Sequence, residues 1–396
     1  MSPEKNTKVA FIAGIELPFQ GAAWRRIEYF ARYISLNGFT VYVLSPNTLY
    51  LACSATTRER TIEKAKSLNI FRVPLKLHIC TSPLLTSLIE IINSLVLGIV
   101  TVLMGIKVII LSTPPFHYLL GIYLTSRFSK SKLVIDMRDP IDHSFIRFRR
   151  FGTLIKIIRR LEYVTLYGAD AILTASEALA RDLSLAMPQL SEKIHVLPNG
   201  ADLAIFKPLT KQENREELRL FFMGRMTEGY SLPLVLRALS LLNREGLKVK
   251  LYIAGTADPY TEAEKLGIKD AVIYLGVLPA NSLVRVMSSM DMAVLPYYND
   301  VHYRYSLPAK FYEYIACGLP VLVSAPPYFE VAKITRQHGV GILCPADDIN
   351  CIISVIKELY LHREKLAILR EQCLIFRKAI DRAIFARKLI ALLTKL

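Results

Sequence analysis

The spacing of hydrophobic positions changes along the chain in a regular way. KVAFIAGIELPF, from Lys8, is a short apolar run ending in a loop, which suits a buried strand. In GAAWRRIEYFARYISLNGF, Trp24, Ile27, Phe30, Ala31 and Ile34 recur at helical spacing. Asn37-Gly38 stops that helix and TVYVLS reads as a second strand. A β-α-β opening predicts parallel pairing. VIILST, KLVIDM and DAILTAS continue the series, each followed by helical sequence. Around 196–208 the texture changes to VLPNGADLAIFKP, rich in Pro, Asn and charge, as an interdomain segment is. A second series follows: LRLFFMGR, VKLYIAGT, AVIYLGVL and MAVLPYY read as strands, with LPLVLRALSLLNREG and LVRVMSSM as helices between them. YSLPAKFYEYIACGLPVLVS and GVGILCPADD come next, then a helix from about Cys351, and AIDRAIFARKLIALLTKL closes the chain as an amphipathic helix. The expected architecture is α/β, with Rossmann-like domains at 1–200 and 201–375. Residues 376–396 are expected to pack back toward the first domain. Ligands of open α/β sheets sit outside the carboxyl ends of the strands, so two such sheets facing across a cleft would collect their strand-end motifs there.

Composition adds a bias toward anions. The 396 residues are 52% hydrophobic and 21% charged, as expected of a folded chain, with a formal net charge of +16. FIRFRRFGTLIKIIRRLEY carries Arg147, Arg149, Arg150, Lys156, Arg159 and Arg160 among Phe, Ile and Leu, and no acid before Glu162. This reads as an interfacial helix for anionic lipid; no DNA- or RNA-binding motif accompanies it. LLTSLIEIINSLVLGIVTVLMGI, Leu84 to Ile106, is long enough to span a bilayer, and the mean hydropathy is +0.32. A span there would split one predicted domain across the membrane, so the segment is read as a buried helix with a membrane-dipping surface. Cys53, Cys80, Cys317, Cys344, Cys351 and Cys373 form no CxxC pair, so no zinc or disulfide framework is expected and the compartment is read as reducing. MSPEKNTK lacks the apolar core of a signal peptide. The expected location is cytoplasmic, peripheral on the inner face of the membrane.

The richest stretch for chemistry is 305–317. Ser306 is expected to cap a helix, with Pro308 in its first turn. At about 100° per residue, Phe311 and Ile315 share one face and Lys310, Glu313 and Cys317 the other. The first face is expected in the core and the second toward a ligand.

LPFQGAAWRR, VLPNGADLAIFKP, FFMGRM and LPAKFYEYIACGLPVLVS, with GADAILTASEAL as a weaker fifth motif, resemble in order and spacing the retaining glycosyltransferases of family 4, which have the GT-B fold. VIDMRDP and PAKFYEYIACG look most like the branch serving cell-surface polysaccharide or lipid-linked glycan synthesis. The resemblance implies hexosyl transfer from a nucleotide-diphosphate sugar to an acceptor hydroxyl, with retention of configuration. Neither cofactor nor metal is implied, and the sequence contains no DxD pair. The implied partners are the donor, a glycan or lipid-linked acceptor and an anionic membrane surface, with no nucleic acid.

By the same resemblance, Gly21 lets backbone approach a phosphate, Arg225 contacts the diphosphate, and Glu313 accepts hydrogen bonds from the ribose. Tyr230 stands where a lysine is usual and Tyr305 where the first glutamate of an E-x7-E motif is usual. Lys310 is the candidate replacement cation, and Ser306 and Leu307 offer backbone N–H groups at the helix start. His117, Arg138 and Asp139 follow strands of the first domain and are the candidates for acceptor binding or proton handling. Tyr230 and Tyr305 also motivate a second reading, a catalytically silent nucleotide-sugar-binding homologue. A GT-B epimerase or phosphorylase is disfavoured because those families carry different motifs. A fourth reading is an integral membrane protein spanning at Leu84–Ile106.

Overall fold

The computed structural model describes residues 7–13, 22–46, 69–73, 83–113, 118–139, 152–209, 216–224, 230–256 and 259–396. The chain divides into two compact units. The first comprises Met1–Pro198 and Phe385–Leu396, the second Asn199–Ile384.

The first unit runs β1 (Lys8–Ala13), α1 (Ala22–Leu36), β2 (Thr40–Pro46), β3 (Asn69–Val73), α2 (Pro83–Leu103), β4 (Val108–Thr113), α3 (Tyr118–Ser129), β5 (Lys132–Met137), α4 (Gly152–Gly168), β6 (Ala171–Thr174), α5 (Glu177–Ala186) and β7 (Ile194–Val196). Its strands form one sheet in the order β3-β2-β1-β4-β5-β6-β7, and every recorded pairing is parallel, as in Val9↔Val41 and Val9↔Val108. β4 is buried at every position, the continuous apolar run of a strand covered on both faces. The edge strands β3 and β7 were not legible in the sequence; IHV is too short to show a period. Phe385, Ala386, Leu389 and Leu393 bury against Trp24, Phe30 and Phe39 in this unit's core.

The apolar segment at 84–106 is α2, packed on α3. Two glycines allow the close approach. A Cβ at Gly98 would lie 2.0 Å from Thr125 Oγ1, and one at Gly121 1.9 Å from Ser94 Oγ. Among the described residues no helix is long and apolar enough to cross a membrane. Leu103 and Phe128 are 81% and 84% exposed, leaving an apolar strip with Ile99 and Leu124 on the outer side of the pair. Lys156 and Arg160 of α4 are exposed, while Arg147, Arg149, Arg150 and the side chain of Arg159 lie outside the described residues.

A buried ion pair ties this unit together. Arg26 of α1 donates to Asp136 of β5 through Nε (3.1 Å) and Nη2 (2.8 Å). The same guanidinium reaches Leu197 O at 2.8 Å and Pro198 O at 3.0 Å, so one side chain fixes a helix, a strand and the end of the unit. The planar fork suits this multiple donation.

The second unit runs β8 (Leu218–Met223), α6 (Leu232–Arg244), β9 (Val249–Ala254), α7 (Tyr260–Lys265), β10 (Val272–Gly276), α8 (Ala280–Ser288), β11 (Met292–Pro296), α9 (Ala309–Ala316), β12 (Val321–Ser324), α10 (Glu330–His338), β13 (Gly341–Cys344), α11 (Ile349–Leu361) and α12 (Glu364–Arg377). A last helix, α13 (Arg382–Lys395), begins here and continues as the closing segment of the first unit. The parallel sheet has the order β10-β9-β8-β11-β12-β13. Arg382 donates to Asn199 O (2.8 Å) and Gly200 O (3.0 Å), and Ala201 bridges Asp381, fixing the unit's entering and leaving segments together.

The expectation of no disulfide is corrected. Cys344 ends β13, Cys351 lies in the first turn of α11, and the two are bonded with Cα atoms 5.6 Å apart. Asp348 caps α11 by accepting from Cys351 N–H at 2.9 Å, a tight return that a spacing of seven does not announce. Cys317 and Cys373 are free and buried; Cys53 and Cys80 lie outside the described residues.

Removing one partner of a buried pair leaves the other charge uncompensated. Asp136→Ala is therefore expected to cost about 3–5 kcal/mol in urea denaturation, and the double variant Arg26→Met/Asp136→Leu much less than the sum of the singles.

Candidate functional site

In the second sheet β8 lies between β9 and β11. The helix after β8, α6, packs in one core; the helix after β11, α9, packs in the core on the opposite face. The connections therefore diverge at the carboxyl ends of β8 and β11. This is a topological switch point, where doubly wound sheets form a ligand crevice.

The backbone is opened at that point by two glycines. Gly224 follows β8 with φ +146° and Gly255 follows β9 with φ +137°. A Cβ on Gly255 would meet Gly224 O at 2.0 Å, and one on Gly224 would meet Lys310 Nζ at 2.7 Å. Side chains at either position would close the strand ends.

Aromatic rings line the switch point. Tyr230 and Tyr297 form an isolated antiparallel bridge, with ring centroids 5.0 Å apart and Ser231 N–H donating to Pro296 O at 2.8 Å. Tyr314 OH accepts the Met223 N–H at 2.8 Å. Burial pushes the Tyr230 phenol up to about 12, and those of Tyr297 and Tyr314 well above their ordinary value. All three are neutral hydrogen-bonding groups over the working pH range.

Lys310 extends from the first turn of α9 onto these rings. Nζ lies 3.7 Å from the centroid of Tyr230 and 4.5 Å from that of Phe222. Among the described residues it makes no ion pair or hydrogen bond. Burial lowers its pKa to about 7, with the charge of Glu313 opposing the shift. Ring quadrupoles return only part of an ammonium's lost hydration, about 0.5–2 kcal/mol.

Several expectations for 305–317 are corrected. α9 starts after Pro308, whose extended backbone (φ −70°, ψ 150°) makes it the N-cap; Ser306 lies outside the helix and does not cap it. Ser306 N–H donates to Tyr303 O at 3.0 Å and is not available to a phosphate, while Leu307 is buried and its carbonyl accepts from Asn199 Nδ2 at 2.9 Å. The helix is not two-faced, since Glu313 and Cys317 are fully buried and only Lys310 keeps partial exposure. Gly318, at its end, lies against Leu374 and Arg370 of α12, which covers that face. Tyr305 is partly buried, its ring 4.7 Å below the Arg304 guanidinium.

The first unit repeats the switch between β1 and β4, but Gly21 and His117 in the following loops lie outside the described residues, as does Arg225 after Gly224. Arg138, after β5, donates from Nε to Thr113 O at 3.1 Å. Burial lowers its pKa, opposed by Asp136 and Asp139, and Asp139 itself is exposed. The sequence reading missed Phe222, a ring under Lys310, and Tyr297, which packs on Tyr230, the other. Their signal was available: an aromatic residue stands at or beside the last position of two successive central strands. Among the described residues no group of three His, Cys, Asp or Glu side chains could hold a metal ion.

Residues 217–362 match the family model of the glycosyl transferases group 1. An uncharacterized glycosyltransferase of Methanocaldococcus jannaschii is 26% identical over 186 residues, 43% of this chain and 46% of that one. The amylovoran biosynthesis glycosyltransferase of Erwinia amylovora is 22% identical over 206 residues, 50% of this chain and 49% of its own. Each of these alignments spans about half the length of the curated relative it matches. The Anabaena protein HepE, solved in complex with UDP, superposes with a TM-score of 0.66 at 15% identity, covering 98% of this chain and 100% of that one. The fold is GT-B, built from two Rossmann-like units.

A lysine with a lowered folded-state pKa binds fewer protons folded than unfolded between about 7 and its ordinary 10.5. Stability then rises with pH across that window, and the charge costs stability at neutral pH. Lys310→Met is expected to raise the melting temperature by about 2–4 °C at neutral pH and to flatten the rise of stability between about pH 7 and 10. Unchanged melting curves would remove Lys310 from the buried cations.

Proposed function

We propose that the chain binds a nucleotide-diphosphate sugar at the β8/β11 switch point and transfers its sugar, with retention, to an acceptor hydroxyl. The observation that carries this reading is Lys310 Nζ beside Gly224 at that switch point, inside the segment that matches group 1 glycosyl transferases. An ammonium at a bare strand end meets the need of a leaving diphosphate, whose charge grows in the transition state. Glu313, one helical turn beyond Lys310, takes the ribose hydroxyls, and Arg225 takes the diphosphate from the loop after β8. Gly21 lets backbone approach the donor phosphate, His117, Arg138 and Asp139 serve acceptor binding or proton handling, and the reaction needs no metal. The acceptor is a glycan or lipid-linked glycan, in keeping with the relative named for amylovoran biosynthesis. A second reading, donor binding without turnover, is favoured by Tyr230 and Tyr305, which put neutral rings where charged groups are usual.

The apolar strip of Ile99, Leu103, Leu124 and Phe128 is flanked by exposed Arg127 on α3 and Lys130 just after it, a pattern suited to an anionic bilayer surface. Binding to vesicles rich in anionic lipid is expected at low salt and lost at high salt; equal binding to neutral vesicles would count against it.

Glu313→Gln is expected to weaken nucleoside-diphosphate binding at least tenfold by calorimetry, about 1.4 kcal/mol. Unchanged affinity would remove Glu313 from the donor site. A screen of nucleotide-sugars for nucleoside-diphosphate release with a membrane extract as acceptor separates the two readings. Release supports transfer, whereas binding with no release from any donor supports the silent homologue.

A further inference from the structure

Lys310 differs from an ordinary phosphate-binding lysine in how it waits for its ligand. Its ammonium is not held by a carboxylate or a carbonyl among the described residues. It rests between Tyr230 and Phe222, against the backbone of Gly224, with part of the side chain still exposed. Among the described residues the charged and titratable groups around it are few; Arg225 and Glu228 lie in 225–229, outside them. β8 and the residue after it contribute Phe222 and Gly224, neither of which titrates. The bridge contributes the Tyr230 and Tyr297 phenols, and α9 itself contributes Glu313 and Tyr314. All three phenols stay protonated and neutral, leaving Glu313 as the single described charge acting on Lys310. A platform of rings stabilises a cation less well than water does, and a dianionic diphosphate stabilises it far better.

We propose that the donor diphosphate enters this site together with a proton, which the Lys310 amine takes from solvent as it becomes the ammonium partner of the phosphate. The inference rests on the donor-site reading above. Above about pH 7 the empty site then holds a mainly neutral amine, and the positive charge is assembled when the anion arrives. The balance is simple: R–NH2 plus H+ gives R–NH3+, no covalent bond to the donor forms, and release of the nucleoside diphosphate returns the proton. The burial that brings Lys310 to about 7 is consistent with this linkage. At higher pH donor binding carries the cost of protonating the amine, so affinity falls as pH rises.

The test is calorimetry of UDP, GDP and ADP binding at about pH 8 in buffers of different ionisation enthalpy. For a nucleotide that binds, net uptake of about 0.9 proton is expected, and Kd should rise about eightfold between about pH 7.5 and 8.5. Lys310→Arg, which keeps a permanent cation, should bind with no proton uptake and a flat pH profile. Lys310→Met should bind weakly, also without uptake. Nucleotide binding without uptake by the unaltered protein overturns this inference and leaves the donor site standing. Uptake that survives in Lys310→Arg assigns the proton to another group and also overturns it. No binding of any of the three nucleotides overturns the donor-site reading, and this inference with it.

Discussion

Parallel strands cannot be joined by a tight turn. Each must be reached by a crossover, and in a doubly wound sheet the crossovers change face once. In the second unit that change falls between β8 and β11, so the chain leaving each strand end is carried away from the other. An opening at this place follows from strand order alone, before any side chain is chosen. The side chains found there answer that opening. Gly224 and Gly255 keep its floor bare, Tyr230 and Tyr297 bridge its wall, and Lys310 reaches in from the helix that follows β11.

The two units treat buried charge in opposite ways. Arg26 and Asp136 neutralise each other at close range, and the remaining donors of Arg26 are spent on carbonyls. Such a charge is a fixed structural part. Among the described residues Lys310 rests on rings and not against an anion, and under the proposal above its protonation answers to whatever enters. The first arrangement holds a helix, a strand and the segment ending at Pro198 together. The second leaves a site responsive to its ligand.

The central strands were readable because strands covered on both faces are continuous apolar runs, as β1, β4 and β11 are. Edge strands were not, since β3 and β7 lack that signature. The 100° wheel correctly grouped Lys310, Glu313 and Cys317, but a wheel tells which residues share a face, not what covers it. α12, some fifty residues on, lies against Gly318 at the end of the helix, and Glu313 and Cys317 are buried where the wheel alone would leave them open. Ser306 fails as a cap because Pro308 is extended and starts the helix itself. The Arg26–Asp136 pair was legible and overlooked. An arginine inside the apolar spacing of α1 and a lone aspartate in KLVIDM each signal a buried partner.

The contact between Lys310 and Tyr230 also constrains how this site could have changed through time. A lysine at position 230 would put a second ammonium near the first and remove the ring on which Lys310 rests. The two positions are thus locked into alternatives, a cation from the loop or a cation from the helix. Passage between them by single substitutions crosses a form with two repelling ammoniums or a form with neither of them.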